Sequence, residues 1–322
     1  MLKYIIRKIK HNKIKTVIIC VLLIAYYFCL PAVLFEVPTA TVIESREGVL
    51  LGAKIADDGQ WRFPQLDSVP EKFKICIIQF EDGYFYNHPG FNPVSMTKAL
   101  WQNMTSGKVQ RGGSTLTQQV IRLSRKGKKR TYFEKAKELI LATRLELRYS
   151  KEEILKLYAS HAPFGGNVVG LDAAAWRYFG RRPQELSWAE NATLAVLPNA
   201  PSLIYPGKNQ IRLKNKRNRL LKKLFDQQII DKLTYDLAVK EPLPQKPYQL
   251  PQTATHLLDK VAETHKGKRV QTSVETFLQQ ETNAIVAKHY KELQQNQVYN
   301  AAVLVLDVKT RKVLAYIGNT PT

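Results

Sequence analysis

Three stretches of this chain carry residue types that fit neither a plain core nor a plain surface. In FEDGYFYNHPGFNP, residues 80–93, Glu81 and Asp82 follow the apolar run ICIIQF and lead into a loop of aromatics and glycine. A carboxylate at such a boundary is partly desolvated, which makes it a better general base; a helix cap or solvated turn is the plainer alternative. In QRGGSTLTQQVIRLSRKGKKR, residues 110–130, Gly112 and Gly113 precede hydroxyl residues and a helical pattern with Thr117, Gln118, Gln119 and Arg122. A glycine pair opening a helix offers free backbone N–H groups to a phosphate, and SRKGKKR adds cations suited to a diphosphate or lipid head groups. In residues 130–160, Glu138, Ala142, Leu145 and Tyr149 fall on one helical stripe. Glu138 is thus an acid aligned with apolar neighbours, a better cleft candidate than Glu134, which is expected to be exposed. An ion pair with Arg144 or Lys135 is the structural alternative.

Other chemistries are excluded. Ser95 and Lys98 match a serine–lysine nucleophile motif in letters, but neither SxN nor KTG follows at suitable positions, and 309–311 read Lys-Thr-Arg. Of the three cysteines, Cys20 and Cys29 lie in an apolar run and Cys76 in FKICIIQF, so no disulfide framework is available. The six histidines are scattered, without metal-ligand spacing.

The elements that must hold these residues can be outlined. Residues 16–35 carry no charge and are long enough to cross a bilayer as a helix. Six cations precede them and Glu36 is the first acid, so the positive-inside rule leaves the tail in the cytoplasm and exports the rest. A cleaved signal peptide is the competing reading, though the run is long for one. Residues 38–60 read as a small strand or hairpin and 61–240 as helical. Start signals sit at Asn92-Pro93, at Ser150 with Glu153 and at Ser187 with Glu190. Residues 208–223 read as a solvated basic helix face, PLPQKPYQLPQ at 242–252 as a linker, and 270–275 and 301–319 as strands. The net charge of +22 suits a polyanionic partner: nucleic acid, an anionic membrane or a diphosphate.

Together these stretches resemble the glycosyltransferase domain of class A penicillin-binding proteins. The blocks that carry the resemblance are EDGYFYNHPG at 81–90, GGSTLTQQ at 112–119, KAKE at 135–138, YSKEEIL at 149–155, APFGGNVVGLDAAAWRYFG at 162–180 and LAVLPNAPSLIYP at 194–206. The phrase HAPFGGN points to one branch of that family. The resemblance implies a mainly α chain with a lysozyme-like glycosyltransferase domain behind one N-terminal transmembrane helix, and a short C-terminal β-containing fragment. The expected boundaries are a cytoplasmic tail at 1–15, an anchor at 16–36, a membrane-proximal segment at 37–60, the glycosyltransferase at 61–240, a linker at 241–269 and the incomplete start of a transpeptidase domain at 270–322.

The resemblance also implies a reaction: polymerisation of lipid II into β-1,4-linked glycan outside the inner membrane, with inversion and loss of undecaprenyl diphosphate. Glu81 would be the general base. Glu138 would be the second carboxylate, orienting cations or holding a divalent metal, Mg or Mn. Arg122, Arg130 and Lys137 match basic family positions. Gly113, Ser114, Thr115, Gln118 and Gln119 would line the cleft, with Asp82, Phe85 and His88 in the loop beside the base. Implied partners are lipid II, the growing glycan strand, membrane lipids and a cross-linking transpeptidase or other wall-synthesis protein, not nucleic acid; this chain itself is expected to lack transpeptidase activity. Three departures concern substrate detail: Lys156 and Ser160 replace Glu and Asn, and Arg122 replaces a lysine. A lytic enzyme, a non-catalytic lipid- or glycan-binding module and a tethered nucleic-acid binder are the rival readings.

Overall fold

The computed structural model describes residues 13–106, 113–125, 128 and 131–320, and the chain is mainly helical. It divides into two compact units: the chain through Glu36 with Asp82–Ile154, and Val37–Glu81 with the chain from Leu155 onward.

In the first unit, helix Lys13–Phe28 has no buried residue and exposes Ile14, Val17, Ile18, Leu22, Leu23 and Ile24. The expected span is helical only as far as Phe28. Pro31 cannot donate to a helix and disfavours helical backbone just before it. Among the described residues no helix is long and apolar enough to cross a membrane. The segment is fastened to helix Tyr132–Glu146 and the turn after it. Tyr26 shares a hydrogen bond with Thr143 (2.9 Å), and Arg148 donates to the Pro31 and Ala32 carbonyls at 2.7 and 2.6 Å. Helix Pro93–Ser106 starts on the proline expected at its first position. Helix Leu116–Ser124 is capped by Thr115 and helix Tyr132–Glu146 by Thr131, each side chain accepting from an amide three residues on. The Glu138 stripe is realised: Glu138, Ala142 and Leu145 are buried, with Tyr149 just beyond the helix end.

In the second unit, helix Glu71–Glu81 buries Phe73, Cys76, Ile77 and Ile78, the three-and-four spacing of a one-sided helix. It packs on helix Trp188–Val196 and helix Gln210–Asp226. The first of these partners begins with the expected Ser187–Glu190 capping box. The second corrects an expectation. Its basic residues do not form one solvated face: Arg217 is buried, donating to the Glu241 carbonyl at 2.7 Å and the Val239 carbonyl at 3.2 Å. Peptide carbonyls there replace the water that a guanidinium needs.

The hairpin Thr41–Glu44 and Leu50–Lys54 joins a three-stranded sheet whose outer member on the Thr41–Glu44 side is Arg269–Gln271, running parallel. Ile43, Leu51, Ala254, Leu258 and Val274 form the core beneath it. Arg269 spans Glu44 and Asp172, both mostly buried. Burial pushes both carboxyls above their usual range, with Arg269 opposing the push. Beyond the sheet come helix Thr276–Gln295 and the hairpin Val303–Leu306 with Val313–Ile317. The sequence signals located this hairpin and left the helix unassigned.

Candidate active site

The acidic loop is built around Asp82. Its carboxylate accepts the Leu116 amide at 3.0 Å, at the positive end of helix Leu116–Ser124, and receives His88 Nε2 at 3.0 Å. The Gly90 amide donates to His88 Nδ1 at 3.2 Å, so the ring proton resides on Nε2 and points at Asp82. Phe85 is fully buried, edge-on to Tyr86 and His88. Gly90 adopts φ +92, and a Cβ there would meet the Ala142 carbonyl oxygen at 2.7 Å, so only glycine lets the loop lie this close to helix Tyr132–Glu146. Thr115 clamps the same turn by donating to the Gly90 carbonyl at 2.7 Å. Lys151 closes the loop from the other side. It donates to the His88 carbonyl at 2.7 Å and to Glu146 at 2.8 Å, and it lies 4.5 Å from the Phe85 ring centre. Asp82 is thus committed to holding a loop and a helix terminus together.

A second cluster lies on helices Leu116–Ser124 and Tyr132–Glu146. The Lys135 ammonium donates to Ser114 Oγ at 2.8 Å and Gln118 Oε1 at 2.6 Å, and pairs with Glu138 Oε2 at 3.3 Å. Gln118 is fully buried, and its Nε2 has no hydrogen-bond partner. A buried amide donor without a partner favours an acceptor-rich ligand. Gly113 and Arg122 are half-buried, and Gln119 is buried beside Gln118. Arg130 lies outside the described residues.

Lys137 is not drawn into this cluster: it lies 3.9 Å from Glu134 and 4.3 Å from the Phe133 ring centre. Glu134, expected to be exposed, is instead half-buried. Arg125 binds it at 2.6 Å and holds its carboxyl below the usual range. Lys135 is the residue that sequence reasoning passed over as a site member. Its signal was available, since a lysine three residues before Glu138 lies on the same helix face.

Glu81 belongs to the second unit, as the last residue of helix Glu71–Glu81. In the first unit, a cavity of about 420 Å³ lies between helices Pro93–Ser106 and Tyr132–Glu146, lined by Phe91, Met96, Leu139 and Ile140 among others.

Comparison with known proteins decides the family. The model of the family described as Transglycosylase matches residues 49–225. The chain belongs to the transglycosylase family. Among its curated relatives, penicillin-binding protein 1C of Escherichia coli (strain K12) is 35% identical, over 90% of this chain and 37% of the relative. Penicillin-binding protein 1A of Vibrio cholerae is 29% identical over 95% of this chain and 41% of the relative. This chain therefore spans roughly two fifths of the length of those relatives. A crystal structure of penicillin-binding protein 1A from Haemophilus influenzae gives a TM-score of 0.37 at 21% identity, covering 78% of this chain and 29% of that one, too loose a likeness to define a fold. The family match and these relatives support peptidoglycan glycosyltransferase activity for the transglycosylase region.

Within that region the matched residues hold both the Asp82–His88 loop and the Lys135–Glu138 cluster. The near neighbour of Glu138 is the Lys135 ammonium, and among the described residues no three His, Cys, Asp or Glu side chains converge. A protein-held divalent cation does not fit this donor set.

Proposed function

We propose that this transglycosylase polymerises lipid II, adding disaccharides to a β-1,4 glycan with release of undecaprenyl diphosphate, and that the region shares the lysozyme-like fold its sequence resembles. The observation that carries the reading is the Lys135 ammonium converging with Ser114, Gln118 and Glu138. It is a cation in a polar cluster whose buried amide donor lacks an acceptor, a combination suited to a diphosphate.

In the proposed reaction the Glu81 carboxylate takes the proton of the acceptor 4-hydroxyl. The freed oxygen attacks C1 of the donor sugar, and the bond from C1 to the diphosphate oxygen breaks on the opposite face, inverting the anomeric centre. The diphosphate leaves with both electrons of that bond, and Lys135, Arg122 and Arg130 neutralise the charge it gains. Glu138 orients Lys135. Asp82 and His88 serve as the brace of the loop that follows Glu81, because their polar atoms are already engaged with Leu116 and Gly90.

Membrane attachment belongs to the same proposal. The uncovered apolar surface of helix Lys13–Phe28 favours lipid over water, and the apolar cavity beside Phe91 and Ile140 suits hydrocarbon. A cytoplasmic tail, a single anchor and an extracytoplasmic catalytic region follow from the charge asymmetry around the apolar run.

The test is glycan synthesis from purified lipid II by the full chain and by Glu81→Gln. Polymer from the parent and none from the variant is the expected result. Equal polymer from both removes Glu81 as the base. Release of sugar fragments from finished wall, with no polymer made, points to a lytic enzyme instead.

A further inference from the structure

Helix Glu71–Glu81 ends on an acid and has no basic residue in its last turn. The C-terminal end of a helix carries partial negative charge, so a carboxylate there is in an unfavourable field unless a cation is brought in from elsewhere. Helix Gln210–Asp226 supplies two. Lys223 donates its ammonium to the Gln79 carbonyl in that last turn. Lys216 lies seven residues earlier, two turns along the same face. Its ammonium is tethered to Asn199 Oδ1 at 2.6 Å, in the turn that follows helix Trp188–Val196. Helix Gln210–Asp226 therefore brings a cation directly onto the carboxyl-end turn of Glu71–Glu81, with a second one two turns away.

The geometry points to Lys216 as a positioning residue for Glu81: its tethered ammonium offsets the helix-end field and favours the ionised, proton-accepting form of the base. This rests on the reading of Glu81 as the general base. Lys216 is half-buried. Burial and Arg212 hold its ammonium below the usual lysine range, while Glu81 acts in the opposite sense, so the two side chains are within electrostatic reach. The surrounding charges leave this role to few groups. Helix Gln210–Asp226 brings Arg212, Lys216, Arg219 and Lys223 toward this region, and Lys223 is occupied by Gln79. The acid of helix Trp188–Val196, Glu190, is bound by Arg181. Glu71, Lys72 and Lys74 stand in the first turn of the helix that Glu81 ends.

The test is the pH dependence of lipid II polymerisation by the full chain, for the parent, Lys216→Met, Lys216→Arg and Glu81→Gln. Without the ammonium, Glu81 needs a higher pH to ionise. Lys216→Met should lose roughly threefold to tenfold more rate at the acidic end of the profile than at the alkaline end, the scale of one charge at this range in a half-wet site. Lys216→Arg should restore the profile of the parent. A Lys216→Met profile that runs parallel to the parent at every pH, or an arginine that fails to restore it, overturns the inference while leaving Glu81 as the base. Polymerisation by Glu81→Gln overturns the base reading itself and this inference with it. Should Lys216→Met fail to fold, Asn199→Ala removes only the tether. It should shift the profile in the same direction by less, and a parallel profile there refutes the role equally.

Discussion

His161 ends helix Lys151–His161, where the helix field alone would favour an imidazolium. Burial, reinforced by Arg62, instead lowers its pKa from 6.5 to about 4. The native protein thus holds this ring neutral, while the unfolded chain takes up a proton below about pH 6.5. The unfolded state binds more protons throughout that interval, so stability is lost as pH falls from about 6.5 to about 4 and is unaffected by this group outside it. At 1.36 kcal/mol per unit, the full loss is about 3 kcal/mol. The perturbation is His161→Gln, which keeps a polar side chain and removes the titration. Urea unfolding of both proteins at pH 7.5 and pH 4.5 isolates the term, because the carboxylates titrating over the same range are common to both. The parent should be the more sensitive by about 2 to 3 kcal/mol between the two pH values. Parallel losses in the two proteins would refute the reasoning, showing that the buried ring is not held neutral.

Lys135→Met should lower polymerisation by about a hundredfold or more, the scale of removing one preorganised charge donor, while Lys137→Met should cost far less. Initial rates on lipid II compare them, and equal losses would remove the distinction drawn from their contacts. Gly90→Ala forces a side chain into left-handed backbone and against the Ala142 carbonyl; it should destabilise the first unit by about 2 kcal/mol or more, read as an earlier thermal transition. Arg269→Met leaves Glu44 and Asp172 buried without their cation and should cost about 3 kcal/mol. Chemical unfolding measures that cost, and an unchanged midpoint would mean the triad contributes little.

What the sequence made legible was local. The Ser187–Glu190 box, the proline at the start of Pro93–Ser106 and the Glu138–Ala142–Leu145 stripe are each written within a few residues, and each stands in the structure. What it hid was either long-range or a matter of choosing between neighbours. Arg217 looks like any base in a run of bases, and only the carbonyls of Val239 and Glu241 make its burial tolerable. Lys135 and Lys137 flank one position in the sequence, but helical rotation sends one to Ser114 and Gln118 and the other to Glu134. Helix Thr276–Gln295 buries only Gln279, Thr282 and Val286, too sparse an apolar stripe to announce itself. The pairing of Arg269 with Glu44 and Asp172 crosses so much intervening chain that no window on the sequence contains it.

That last pairing sets a timetable. Strand Thr41–Glu44 can form its hairpin with Leu50–Lys54 as soon as both are made, but its other edge waits for Arg269–Gln271, 225 residues later by the Glu44–Arg269 bridge. At ribosomal rates that interval is roughly 10 to 45 s. Throughout it, an edge containing Val42 and Ile43 presents unpaired amides and carbonyls to any extended segment nearby, in its own chain or another. The seam therefore stays open throughout that interval, and it closes only when strand Arg269–Gln271 emerges and joins distant stretches of the second unit into one sheet.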